Sequence, residues 1–165
     1  MRKDRSIKGI FQACTAEGSF TPLAKIDTDQ IRAMFDVAIV DFETVKEWSQ
    51  KAAKESGQWN AIYKLAYDVL HTLSEAFLVF DKIKARTHEC VFVHLCQQHA
   101  ELEFDWNFFE KVRTVRNRSI YYGNPASYHQ WNEIELQINL YITALKKAIE
   151  TKLATAANLN KLPDL

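Results

Sequence analysis

Between Gln58 and Phe80 the chain reads QWNAIYKLAYDVLHTLSEAFLVF, with no glycine or proline to interrupt it. Trp59, Ile62, Tyr63, Ala66, Val69, Leu70, Leu73, Phe77 and Phe80 recur there at intervals of three and four, the spacing that gathers side chains on one side of an α-helix. The stripe is wide, so this helix needs apolar partners on more than one side and belongs at the centre of the molecule. Only four glycines and three prolines punctuate all 165 residues, which suits helices joined by short turns. The expected fold is all-α, a bundle of about five main helices.

The other four follow from the same period. Ile31, Met34, Phe35, Ala38, Phe42, Val45 and Trp48 mark a first long helix, capped by Asp27 or Thr28 and ending near Ser56-Gly57. After the central helix the charged stretch DKIKAR reads as a turn, and Thr87 caps a third helix carrying Val91, Phe92, Leu95 and Cys96. A fourth runs from about Asp105 to Gly123, a residue suited to a left-handed C-cap. Asn124 as N-cap and Pro125 at the first helical position then open a fifth, whose stripe is Trp131, Ile134, Ile138, Tyr141, Leu145, Ala148 and Ile149. Residues 27–155 are expected to form one domain. Residues 1–26 are expected to be loosely structured, with Ile7, Ile10 and Phe11 in a short helix, and residues 156–165 to be a frayed tail.

A formal net charge of zero, from 21 basic and 21 acidic residues, argues against a protein that coats nucleic acid through charge alone and leaves room for a local basic site. Cys14, Cys90 and Cys96 are an odd number in a chain without a secretory signature. That argues against a disulfide framework and for a reducing, cytoplasmic setting. Nowhere do eighteen apolar residues follow one another, so no membrane span is expected.

The segment RTVRNRSIYYGNP, from Arg113 to Pro125, does not fit a purely structural helix so readily. On a helical wheel Phe104, Phe108, Val112, Val115 and Ser119 share one face, with Tyr122 beside them, which places Tyr122 in the core. Tyr121 falls on the opposite face next to Asn117, flanked by Arg113 and Arg116 on one side and by Arg118 and Lys111 on the other. Arginines in the last turns of a helix complement its dipole, and that alone would explain them. The same set is also a phosphate site in outline, because guanidinium groups grip phosphate through forked hydrogen bonds and an amide can orient it.

Over roughly residues 30–150 the sequence resembles the HEPN superfamily (higher eukaryotes and prokaryotes nucleotide-binding domain). The resemblance is carried by WNAIYKLAYDVLHTLSEAFLVF, by ARTHECVFVHL and most specifically by RNRSIYYG. It implies a helical bundle whose motif arginine corresponds to Arg116 and whose polar neighbour corresponds to Asn117. Where the family has a histidine, this chain has Tyr121. Many members are metal-independent endoribonucleases that act as homodimers, and some are toxins encoded beside a nucleotidyltransferase antitoxin that places AMP on a tyrosine. The resemblance therefore implies Arg116, Asn117 and Tyr121 as catalytic residues, with Arg113, Arg118 and Lys111 as phosphate or RNA contacts. It also offers Tyr121 and Tyr122 as modification sites, Tyr121 foremost. Histidine can exchange a proton near neutrality, whereas a phenol titrating near ~10 makes a poor base. The alternative is thus a non-catalytic module that binds RNA, a nucleotide or a nucleotidyltransferase partner.

Other residues that bear chemistry read more simply. Cys90, His94, Cys96 and His99 are metal-ligand types, but on one intact helix Cys90 and His94 face one way and Cys96 and His99 the other. His129, eight positions beyond Tyr121, could serve as a substitute base only by folding back across the turn, and reads as a solvent-facing residue. His71 can meet Glu75 at i+4 beside the apolar stripe. No glycine-rich phosphate loop or nucleophile elbow is present, and neither a cofactor nor a metal is expected.

Overall fold

The computed structural model describes residues 6–161. These form six α-helices: α1 (Ile7–Ala16), α2 (Thr28–Lys51), α3 (Gln58–Phe80), α4 (His88–Gln98), α5 (Trp106–Tyr122) and α6 (Tyr128–Leu159). Two three-residue strands, β1 (Phe20–Pro22) and β2 (Ile83–Ala85), complete the described residues together with a single 3-10 turn at Ala100–Leu102. The all-α expectation holds, and no helix here is long and apolar enough to cross a membrane.

The wide stripe of α3 is explained by its neighbours. Ile62, Tyr63, Ala66, Tyr67, Leu70, Leu73 and Ala76 expose none of their surface, because α2, α4, α5 and α6 all pack against this helix. Trp59 opens α3 against Tyr128 and Trp131 of α6, with ring centroids 5.0 and 6.4 Å apart. Its indole nitrogen donates to the carbonyl of Ala53 at 2.8 Å. Phe92 of α4 stacks on Phe109 of α5 at 4.4 Å, and Tyr141 of α6 sits among Phe104, Phe108 and Phe109.

The ends of the elements follow local chemistry. Asp27, Thr87 and Asp105 cap α2, α4 and α5 by accepting backbone N–H groups, and Gly123 closes α5 at φ 66°, a conformation that favours glycine. α2 ends earlier than expected, at Lys51. The start of α6 also differs from the sequence expectation. Asn124 and Pro125 do not open it; Ser127 does, through a reciprocal capping box with Gln130, which satisfies two orphan donors where Asn124 would satisfy one. α6 continues through Leu159, past the start of the expected tail, and residues 162–165 lie outside the described set, as do residues 1–5.

Two features escape a reading based on periodicity. DKIKAR is a turn only at Asp81-Lys82, where Lys82 takes φ 56°; Ile83–Ala85 then pairs antiparallel with Phe20–Pro22. Three residues are too few to show an alternating pattern. The pairing in turn ties the N-terminal segment to the bundle, where Ile10 and Cys14 of α1 are buried against α4. Cys14 and Cys90 are joined in a disulfide across a sequence separation of 76, leaving Cys96 free. The odd cysteine count concealed this pair, and the disulfide removes one ground for expecting a reducing compartment.

Closing a loop of that length stabilises a fold by about 4 kcal/mol in the chain-entropy description. Cys14→Ser is expected to lower the urea midpoint by an amount corresponding to about 2–4 kcal/mol. Excess reductant should produce the same loss in the wild type and no further loss in the variant.

Candidate phosphate-binding site

Successive turns of α5 carry Arg113, Arg116, Asn117 and Tyr121 past the N-terminal end of α4. A cavity of about 300 Å³ opens there, lined by Thr87, His88, Glu89, Arg113, Arg116, Asn117 and Tyr121. A second basin, also about 300 Å³, adjoins it and is lined by Arg113, Thr114, Asn117, Arg118, Tyr121 and Tyr122. Arg113, Asn117 and Tyr121 belong to both, so they form the line along which the two meet.

The end of α5 is held in place by a single amide. Asn60 of α3 accepts hydrogen bonds through Oδ1 from the Ser119 hydroxyl at 2.7 Å and from the Ala126 backbone N–H at 3.0 Å. One side chain thereby fixes α3, α5 and the α5–α6 connection relative to one another. At the other end of α5, the Tyr141 hydroxyl accepts the Asp105 backbone N–H at 2.7 Å.

The two central arginines are in different states. Arg113 donates to both carboxylate oxygens of Glu110, at 2.8 and 3.1 Å, and reaches Glu89 at 3.5 Å. Burial works against its charge, but these carboxylates outweigh burial and raise its pKa. Arg116 has no such clamp. Its guanidinium lies over the Tyr67 ring at 5.2 Å, with Asn117 Oδ1 at 3.4 Å and Asp68 Oδ1 at 3.8 Å. Its Nε is buried without a partner. A guanidinium offers five N–H donors, and Arg116 uses few of them well, so its charge is the one available to an anion.

Opposite Arg116 stand two histidines. His88, the first residue of α4, places Nδ1 2.7 Å from the Tyr67 hydroxyl and stacks on His71 with ring centroids 3.6 Å apart. Burial lowers the His88 pKa, and the charges of Arg116 and Arg113 lower it further. His71, more deeply enclosed, is pushed down to about 3 by burial, with His88 and Arg116 adding to the effect. Burial raises the Tyr67 pKa, so the phenol keeps its proton. Both imidazoles are therefore neutral near pH 7. The Tyr67 hydroxyl can give a hydrogen bond to His88 Nδ1 or take one from it; the second arrangement leaves a lone pair on Nε2 and the first an N–H.

Arg113, Arg116, Asn117 and Tyr121 share one cavity, and Tyr121 is 70% exposed as the wheel indicated. Arg118 lines the second basin only. Lys111 lines neither, and pairs with Glu133 of α6 at 3.1 Å. Tyr122 is not in the core but 77% exposed, because the packed interior ends at Asn60 and the last turn of α5 extends past it. His129 bonds to Glu133 at 3.2 Å rather than turning back, and His71 does approach Glu75, at 3.6 Å. His88 was the residue the sequence did not single out. Its only local signal is its place beside the Thr87 cap, since Tyr67, His71 and Arg116 lie 21, 17 and 28 positions away in the chain. The Cys90, His94, Cys96 and His99 set does not converge as such: Cys90 is in the disulfide, and burial followed by the Asp105 charge pushes the Cys96 thiol up to about 12.

The lowered His71 pKa has a defined sign. The unfolded chain takes up this proton near the ordinary value of 6.5 and the folded chain only near about 3, so stability is full above 6.5 and declines as pH falls towards 3. His71→Phe also removes the buried, unpartnered Nε2. It should leave urea stability at pH 7 unchanged or higher and flatten the loss between pH 6.5 and 5. Comparisons with family models, with curated proteins and with solved structures give no match to the chain.

Proposed function

We propose that the basin holding Arg116 and His88 binds a phosphate of RNA, and that the chain is an endoribonuclease of the HEPN type. In this reading His88, supplied by a different helix, takes the part of the histidine that the RNRSIYYG segment lacks. The observation carrying it is the meeting of a neutral imidazole, an under-committed guanidinium and an amide around one cavity. The sequence resemblance adds the reaction class and the expectation that no metal is needed.

The chemistry such a set supports is an intramolecular displacement. The RNA 2′-hydroxyl attacks the adjacent phosphorus while His88 Nε2 takes its proton, and the bond to the 5′-oxygen breaks. The products are a 2′,3′-cyclic phosphate and a 5′-hydroxyl, the latter protonated by the imidazolium just formed. Arg116 stabilises the charge that builds on the phosphoryl oxygens, and Asn117 orients them. Arg113, neutralised by Glu110, shapes the wall more than it attracts phosphate.

A specific observation also favours a dimer. Ile120, Tyr121 and Tyr122 are all exposed beside the two basins, an apolar edge that a second copy would cover while bringing a second Arg116 close. The equal exposure of both tyrosines makes Tyr122 as accessible to AMP transfer as Tyr121. If the protein does not cut RNA, the same groove is read as a binding module for RNA or for a nucleotidyltransferase.

Cleavage of mixed RNAs in the presence of a chelator tests the reading. Wild type should cut, Arg116→Ala should lose about 10²- to 10³-fold, and His88→Gln about 10²- to 10⁴-fold, while Tyr121→Phe keeps most activity. Because His88 acts as its neutral form and its pKa lies below 6.5, the rate should stay level from neutrality down to that pH and fall only below it. RNA left intact by wild type, or cut equally by His88→Gln, would overturn the nuclease assignment.

A further inference from the structure

At the other end of α4, three metal-ligand side chains meet. Asp81 is the C-cap of α3, His94 lies on α4, and His99 is the residue on which α4 ends. His94 and His99 belong to the set considered from sequence, where an intact helix would hold them apart. The helix does not stay intact: His99 takes φ −124°, ψ 60°, which turns its ring back towards His94. Asp81 Oδ2 then lies 2.9 Å from His94 Nε2 and 2.6 Å from His99 Nε2. One donor atom from each of the three falls within 4.8 Å of the others.

We infer that Asp81, His94 and His99 form a binding site for a divalent transition-metal ion of the Zn²⁺ class. Two imidazoles and one carboxylate are a ligand set that such ions accept, with bonds of about 2.0–2.2 Å and a further position left for water or a small ligand. Ligand atoms around a tetrahedral ion stand roughly 3.3 Å apart. The two carboxylate–imidazole distances therefore need to open by less than about 1 Å, and the remaining donor–donor distance, within 4.8 Å, to close by up to about 1.5 Å, to admit one.

The hydrogen bonds around His99 support this assignment. Its Nδ1 lies 2.8 Å from Glu101 Oε1, so both ring nitrogens face carboxylates. A neutral imidazole has one N–H. With Nδ1 on Glu101 and Nε2 on Asp81, the ring is bridged between two carboxylates, and the Nε2–Asp81 contact is completed by a cation, whether a proton or a metal ion. A carboxylate behind a metal-bound histidine fixes its tautomer and orientation in just this way.

The surroundings are those of a built site. His94 is 4% exposed and covered by Phe11 and Phe20, with ring centroids 6.0 and 5.5 Å away. Phe77 and His99 meet at a near-perpendicular angle with ring centroids 4.8 Å apart. His94 lies about 9 Å along the helix axis from His88, so this site is separate from the phosphate basin and stands or falls independently of it.

The full chain, freed of metal by chelator and dialysis, should be titrated with Zn²⁺ by calorimetry and with Co²⁺ by visible absorption. Wild type is expected to take up about one ion per chain, with a rise in Tm and Co²⁺ bands of low coordination number. Asp81→Asn and His99→Gln should each weaken binding by about 10²-fold or more, and Glu101→Gln by about 10-fold through loss of orientation. His88→Gln should bind as wild type does. Far-UV circular dichroism identifies any variant that has not folded, and Glu101→Gln, altered at an exposed position, keeps the test decisive if others fail. No uptake at micromolar Zn²⁺ would mean that a proton alone sits between His99 and Asp81, and would overturn the proposal. Unchanged affinity in both Asp81→Asn and His99→Gln would place the ion on other groups and overturn it equally.

Discussion

Every neighbour of α3 is constrained by the requirement that this helix be enclosed on nearly all sides. A helix wrapped so completely would be simplest if it were wholly apolar, but α3 also brings Asn60, Tyr67 and His71 to its boundary with α4 and α5. A buried polar group without a partner costs free energy of the order of 1–3 kcal/mol, so these residues dictate what must stand beside them. Asn60 meets Ser119 and the Ala126 backbone. Tyr67 meets His88 and lies beneath Arg116. The groove proposed to hold phosphate is in this sense the place where the core becomes polar, and its residues are positioned by the demands of packing as much as by those of chemistry.

The same constraint explains what could be read from the sequence. Element type and order were legible because burial imposes a period, and Asp27, Thr87 and Gly123 were legible as caps because they act on backbone groups within a few residues. The line Arg113, Asn117, Tyr121 was legible because side chains four apart on one helix share a face whatever the tertiary fold. Tyr122 was misplaced because a wheel describes direction and carries no information about how far along the axis the core extends.

What stayed hidden depends on contacts between distant segments. β1 and β2 are each too short to reveal a period, and their pairing joins positions more than sixty apart in the chain. The Cys14–Cys90 bridge spans 76 positions and the Tyr67–His88 bond 21, both beyond the reach of a helical period. His99 was hidden for a different reason, since its role depends on where α4 stops: one more helical residue would have turned its ring away from His94. Local propensity locates such an end only to within a residue or two, and here one residue decides whether three donors converge.

α4 itself is a rod of eleven residues, about 16 Å long at 1.5 Å per residue. Its first residue lines the basin beside Arg116, its last residues meet Asp81, and between them Cys90 anchors it to α1 while Phe92 is pressed between Tyr67 and Phe109. A short helix fixed at that many points cannot turn about its axis at one end only. Any change that rotates or slides α4 as a body would move the basin wall and the Asp81 cluster together, so the two share a single mechanical reference although no side chain is common to them.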